Sequence, residues 1–309
     1  MTANKASERT AGRGASSLDR ALVCDTETLV WENGAPMTFY VDRGHTGRPL
    51  LLIHSINAAP SAMEIKPLFD YFRTSRPCYA PDLPGFGLSA RDPINYTVEL
   101  FSHAIAELIN SVTDEHGLSP DIVTLSISSE FAVRAIVERH APCHSLTCIS
   151  PTGLGRRPPP GPDVGKKINA LTATPLLGAS LYRLLTTAVS VRYFLNKAFT
   201  AEVPKELVDY AVRTTRQPGA RFAPFAFLSM QLFSADALKN LYGALTSPTL
   251  ILYDQDPNID FDRLPELLKG NPRVHAERIS PSRGLPHWEL PEQTVNALMR
   301  FWTSIAEAE

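Results

Sequence analysis

Four short, almost wholly apolar runs constrain the fold of this chain more than any other feature. They are Leu50-Leu51-Leu52-Ile53, Ile122-Val123-Thr124-Leu125, Leu146-Thr147-Cys148-Ile149 and Leu250-Ile251-Leu252-Tyr253. A strand with one wet face alternates apolar and polar residues. A run without alternation suits a strand covered on both faces, as in a parallel sheet flanked by helices. Helical spacing of apolar residues falls between the runs, over 62–73, 97–112 and 130–139; the second of these carries Leu100, Ile105, Leu108 and Ile109. Further strands are expected at 77–81 and 274–279, and a closing helix at 292–306. Residues 29–31 and 37–41 read as a hairpin about an Asn33-Gly34 turn. This βα alternation predicts an α/β protein with a mostly parallel sheet and helices on both faces.

The alternation stops at Pro151. A segment rich in proline and glycine, 153–165, leads into residues 166–243, which have helical patterns and no strand signal. Leu176, Leu177, Leu181, Leu184 and Leu185 form one apolar stripe, and 203–213 and 225–233 suggest others. The expected organisation is a tail at 1–18 too polar to fold, a core of 19–152 and 245–309, and an inserted all-helical cap at 153–244.

Length and composition exclude several classes. The 309 residues allow one large domain or a core with an insert. Thirty basic against 32 acidic residues give a net charge of −2, which offers no polyanion surface, so no nucleic-acid partner is expected. No apolar stretch reaches the ~18 residues of a membrane span, so stable membrane insertion is not expected. Cys24, Cys78, Cys143 and Cys148 have neither zinc nor disulfide spacing, which favours reduced thiols and a cytoplasmic location. No metal-ligand pattern and no dinucleotide fingerprint occurs, so neither metal nor cofactor is expected. Oligomeric state is not legible.

The second apolar run ends in Thr124-Leu125-Ser126-Ile127-Ser128-Ser129, and a helix follows at once. A nucleophilic serine on a sharp strand-to-helix turn needs small residues two before and two after it, here Thr124 and Ser128. A serine-rich helix cap is the competing reading. The position at the carboxyl end of a central parallel strand favours a ligand site.

Several segments together resemble the α/β-hydrolase superfamily. They are Leu51-Leu52-Ile53-His54-Ser55, Asp82-Leu83-Pro84-Gly85-Phe86-Gly87-Leu88-Ser89, the Ser126 turn, Tyr253-Asp254-Gln255-Asp256 and Gly284-Leu285-Pro286-His287-Trp288-Glu289-Leu290-Pro291. They follow the family's order across about residues 48 to 306. The resemblance implies a triad of Ser126, Asp256 and His287, with Asp254 and Asp260 as alternative acids. It implies an oxyanion hole from the backbone of Ile127 and Ile56 with Ser55 beside them, and substrate contacts at Asn57 and Trp288. The family often reads Gly-His where this chain has Arg283-Gly284, and His287 comes three residues later. Either His287 has taken the role through a shifted loop, or the triad is incomplete.

The expected activity is that of a carboxylesterase-like serine hydrolase on a small to medium, largely apolar ester, or a related acyl or carbon–carbon bond. A non-hydrolytic ligand-binding protein is one alternative. An acyltransferase, lyase or cofactor-free oxygenase on the same site is another.

Overall fold

The computed structural model describes residues 18–31, 34–156 and 175–308. Most of the polar tail expected at 1–18, the Asn33 half of the expected turn and most of the proline-rich segment lie outside the described residues.

Eight strands form one sheet: β1 Asp25–Leu29, β2 Met37–Asp42, β3 Leu50–Ile53, β4 Cys78–Pro81, β5 Asp121–Leu125, β6 Ser145–Ile149, β7 Thr249–Gln255 and β8 Val274–Arg283. Their spatial order is β1-β2-β4-β3-β5-β6-β7-β8. β1 and β2 are antiparallel, as are β2 and β4, and every other pair from β4 to β8 is parallel. The hairpin begins at Asp25, four residues before the expected Leu29, with Leu29 opposite Met37.

Side chains alternate across a strand, so each apolar run feeds two cores. Leu51, Ile53, Ile122, Leu146 and Ile251 face one side. Leu50, Leu52, Val123, Ile149 and Leu252 face the other. The first side is covered by α2 Val98–His116 and α3 Ser128–Val137, through residues such as Phe101, Ile105 and Phe131. The second is covered by α1 Lys66–Phe72 and the last helix, α11 Pro291–Ala306, through Leu68, Phe69, Leu298 and Phe301. A single-turn 3-10 helix, Ala62–Ile65, precedes α1.

Between β6 and β7 the described residues hold five α-helices, α4 Pro175–Leu185, α5 Ala188–Lys197, α6 Lys205–Thr215, α7 Phe222–Leu228 and α8 Ala237–Asn240, and a 3-10 turn, Tyr242–Ala244. This segment is hydrogen-bonded to the core. The Tyr182 hydroxyl on α4 donates to the Ala58 carbonyl at 3.2 Å, and Thr200 Oγ1 donates to Glu289 at 2.5 Å. After β7 come α9 Leu264–Gly270 and, beyond β8, the short α10 Pro286–Glu289. Among the described residues, no helix is long and apolar enough to cross a membrane.

Candidate active site

β5 is buried along its whole length and lies inside the sheet between β3 and β6. The Ser126 amide still donates to the Ile149 carbonyl at 2.9 Å, as a further rung of the sheet would. Its φ is +52°, a left-handed value that costs a non-glycine residue about 1 kcal/mol or more. The chain then turns at once into α3, with the Ser129 amide returning to the Ser126 carbonyl at 3.1 Å. The turn leaves Ser126 partly exposed while both small flanks, Thr124 and Ser128, are fully buried.

Those flanks are hydroxyl residues rather than glycine, and each hydroxyl is used. Ser128 Oγ donates to the His54 carbonyl at 2.6 Å, tying the turn to the end of β3. Thr124 Oγ1 and Ser129 Oγ share a hydrogen bond at 2.8 Å across the bend. The Ile127 amide stands at the N-cap of α3, where unpaired N–H groups and the helix dipole favour negative charge.

The loop after β3 is built around a buried carboxyl that sequence reasoning missed. Glu64 Oε2 accepts the Ser55 amide at 2.9 Å, and Oε1 accepts Asn57 Nδ2 at 2.8 Å. Asn57 Nδ2 also reaches Ser55 Oγ at 2.8 Å. Burial pushes the Glu64 carboxyl above its ordinary value, opposed by these donors. Ser55, expected beside the oxyanion hole, and Asn57, expected to contact substrate, are therefore engaged in shaping the loop. Ile56 and Ile127 bury their side chains in the same core, which fixes both backbones.

His54 is structural. Its Nε2 accepts the Leu83 amide at 2.9 Å, so Nδ1 carries the proton and donates to the Ser55 carbonyl at 2.5 Å. Asp82 anchors the loop after β4 by accepting the amides of Ala62 at 2.8 Å and Leu88 at 2.7 Å. A Cβ at Gly87 would lie 1.8 Å from the Asp82 carboxyl carbon, which accounts for the glycine there.

Of the candidate acids, Asp254 is tied into the sheet edge by Arg278 Nε at 2.6 Å and the Ser282 amide at 2.8 Å. Burial alone would raise its carboxyl, but these donors outweigh it and hold the carboxyl below the ordinary value. Asp260 is exposed. Asp256 is partly exposed just beyond β7, and its Oδ1 accepts the Asn258 amide at 2.8 Å. Burial pushes its carboxyl up, against the amides of Asn258 and Ile259.

The structure does not join His287 to either residue expected to be its partner. It is fully buried, with Nε2 on the Glu64 carbonyl at 2.6 Å and Nδ1 without a partner. A carbonyl only accepts, so Nε2 carries the proton. Burial lowers the imidazole to about 4 and keeps it neutral. Trp288 Nε1 donates to the same carbonyl at 2.7 Å, so this expected substrate contact also spends its donor inside the protein.

Gly284 faces Asp256 instead. A register shift between Tyr253 and Gln255 sets Gln255 opposite Arg283, so the next residues on the two chains, Asp256 and Gly284, abut. Gly284 has φ +85°, and a Cβ built on it lies 2.7 Å from Asp256 Oδ2. The position next to Asp256, where the family pattern has histidine, thus carries no side chain. Among the described residues, no cluster of histidine, cysteine, aspartate and glutamate could hold a metal ion.

The fold recurs widely among solved structures. A putative aryl esterase from Burkholderia cenocepacia superposes with a TM-score of 0.70 at 18% identity, covering 92% of this chain and 100% of the other. A thermophilic esterase from Thermogutta terrifontis gives 0.69 at 18%, covering 91% and 99%. An N-formylmaleamic acid deformylase from Pseudomonas putida S16 gives 0.63 at 16%, covering 89% and 100%. At these identities the likeness is one of fold. No curated protein matches the sequence. The sequence model of the alpha/beta hydrolase family matches residues 50–297, and with the sheet order and the Ser126 turn it leads to one conclusion: the chain belongs to the alpha/beta hydrolase family.

Proposed function

We propose that the protein is a serine hydrolase that cleaves a small to medium, largely apolar ester at Ser126, with the helices between β6 and β7 acting as a cap over the site. The observation that carries this reading is the left-handed Ser126 at +52°, held on a turn that leaves it partly exposed at the carboxyl edge of the sheet. Strain of this kind persists only where surrounding structure enforces it, and here two buried hydroxyl bonds do so.

Attack by Ser126 Oγ on an acyl carbon turns the carbonyl oxygen into an oxyanion. The Ile127 amide is the first donor to it, and the Ile56 amide on the loop after β3 is the second. One such donor contributes roughly 3 kcal/mol to lowering the barrier. Asp256 is the acid of the site. The structural neighbours named as esterases and a deformylase suit this reading.

A second reading is favoured by a specific observation: His287 is hydrogen-bonded to Glu64 and to neither Ser126 nor Asp256. On that reading the protein binds an acyl compound without cleaving it. Labelling with a fluorophosphonate separates the two. Covalent labelling of wild type that disappears in Ser126→Ala supports the hydrolase. A folded wild type that takes no label supports the binding protein.

A further inference from the structure

Ser126 and Asp256 stand at the same edge of the sheet with only β6 between their strands, Asp256 three residues beyond the level of Ser126. A base held between them would make ~3 Å hydrogen bonds to a hydroxyl on one side and a carboxylate on the other. Asp256 has one oxygen fixed by the Asn258 amide and the other turned toward Gly284, which offers no side chain. Ser126, Asp256 and Gly284 are all partly exposed and open to a small molecule. The strand between them ends at Ser150, whose hydroxyl is buried without a partner, an arrangement proteins seldom leave unused. The two buried histidines at this edge of the sheet, His54 and His287, have their hydrogen bonds elsewhere. His54 has both nitrogens engaged, and His287 is bound to Glu64.

We infer that the missing base arrives with the substrate: the site takes esters whose acyl part carries an imidazole or a like two-nitrogen ring of weak basicity, which docks between Asp256 and Ser126. This rests on the reading of Ser126 as nucleophile. The neutral nitrogen accepts the Ser126 Oγ proton as Oγ bonds to the carbonyl carbon. The carbonyl π pair moves to oxygen and is met by the Ile127 amide. The Asp256 carboxylate pairs with the cation thus formed. On collapse the bond to the leaving alkoxide breaks, and that oxygen takes the proton from the nitrogen. Water then attacks the acyl-serine, giving a proton to the same nitrogen, which passes it to Ser126 Oγ as that atom departs. The sum is ester plus water giving acid plus alcohol.

Two features of the substrate follow. The nitrogen belongs to the acyl part, because one in the alcohol would leave before water attacks. Its basicity is near neutral, because a strong amine would arrive already protonated.

The test compares nitrophenyl esters of imidazolylpropanoic acid and phenylpropanoic acid on wild type, Ser126→Ala and Asp256→Asn. The Ser126→Ala rate is subtracted to remove self-hydrolysis. Wild type is expected to turn over the imidazolyl ester about a hundredfold faster than the phenyl ester, the scale of base catalysis. The phenyl ester is expected to accumulate as acyl-Ser126, visible by mass spectrometry. In Asp256→Asn the preference falls toward one. Equal steady turnover of both esters by wild type overturns the inference, as does no turnover of either, and as does a preference that survives in folded Asp256→Asn. The wild-type comparison decides even if that variant does not fold. Fluorophosphonate labelling lost in Ser126→Ala, together with equal ester rates, removes the inference and leaves the nucleophile standing. A fluorophosphonate brings no base, so absence of labelling removes the nucleophile only when imidazole is added to the buffer.

Discussion

His287 illustrates how one buried side chain ties function to stability. Its imidazole sits near 4 in the folded protein against an ordinary 6.5, because burial disfavours the cation. As pH falls, the unfolded chain therefore takes up a proton before the folded one does. This contribution costs nothing above pH 6.5 and removes stability progressively between about 6.5 and 4. His287→Gln keeps a donor for the Glu64 carbonyl and has no titration. The stability advantage of wild type over this variant should shrink by up to about 1.4 kcal/mol per pH unit through that window. Urea denaturation at several pH values measures it, and an advantage that stays flat would mean the imidazole is not held neutral. At this scale the sequence is only partly legible. Ser126 was readable because a strand, a small-residue frame and a helix adjoin it. Glu64 was not, because one charge inside a helical apolar pattern looks like a solvated face until Ser55 and Asn57 fold onto it. The departure at Gly284 was visible in the sequence, but its meaning depends on Asp256 lying beside it.

For an element, packing and termini contribute on different scales. α2 begins with Thr97, whose hydroxyl accepts the Leu100 amide at 3.1 Å, and buries Phe101, Ile105 and Leu108 against the sheet. Thr97→Ala should cost about 1 kcal/mol, the usual value of a cap. Phe101→Ala should cost roughly 3–5 kcal/mol, because it opens a cavity among the stacked rings of Phe86, Tyr96 and Phe131. Thermal or denaturant midpoints check the ratio; similar losses would mean that the helix is held mainly by its end. The start of α2 was legible from Thr97. Its end was not, because the polar last turn hides that the helix runs on to His116. β8 fails at the same end for another reason. The pattern stops before Pro281, since a proline breaks the ladder of an inner strand. β8 is the edge strand, with β7 as its one neighbour, so it continues to Arg283. Those four extra residues bring Gly284 beside Asp256.

Across the whole molecule, the helices between β6 and β7 are tied to the core by a few polar bonds over packed apolar residues. Glu289 is one such tie, accepting the Thr200 hydroxyl through Oε1 and the Arg283 amide through Oε2. Glu289→Ala should cost roughly 1–2 kcal/mol and speed amide exchange at Thr200 and Arg283, while exchange within β7 stays unchanged. Hydrogen-exchange mass spectrometry reads this directly; acceleration spread evenly over the sheet would show that Glu289 supports the core instead. The mostly parallel sheet and its two-sided core were legible from the apolar runs, because a strand without alternation is buried on both faces; the order of the strands was not. The tie at Thr200 was not, since it joins residues 89 positions apart.

The bare backbone at Gly284 has a consequence for how such a protein would answer to acidity. An enzyme that owns its base has one working range, set by its own chain. Here the titrating atom would come and go with each molecule consumed, so the optimum would move with the compound supplied, and a single sequence would show as many pH profiles as it has substrates.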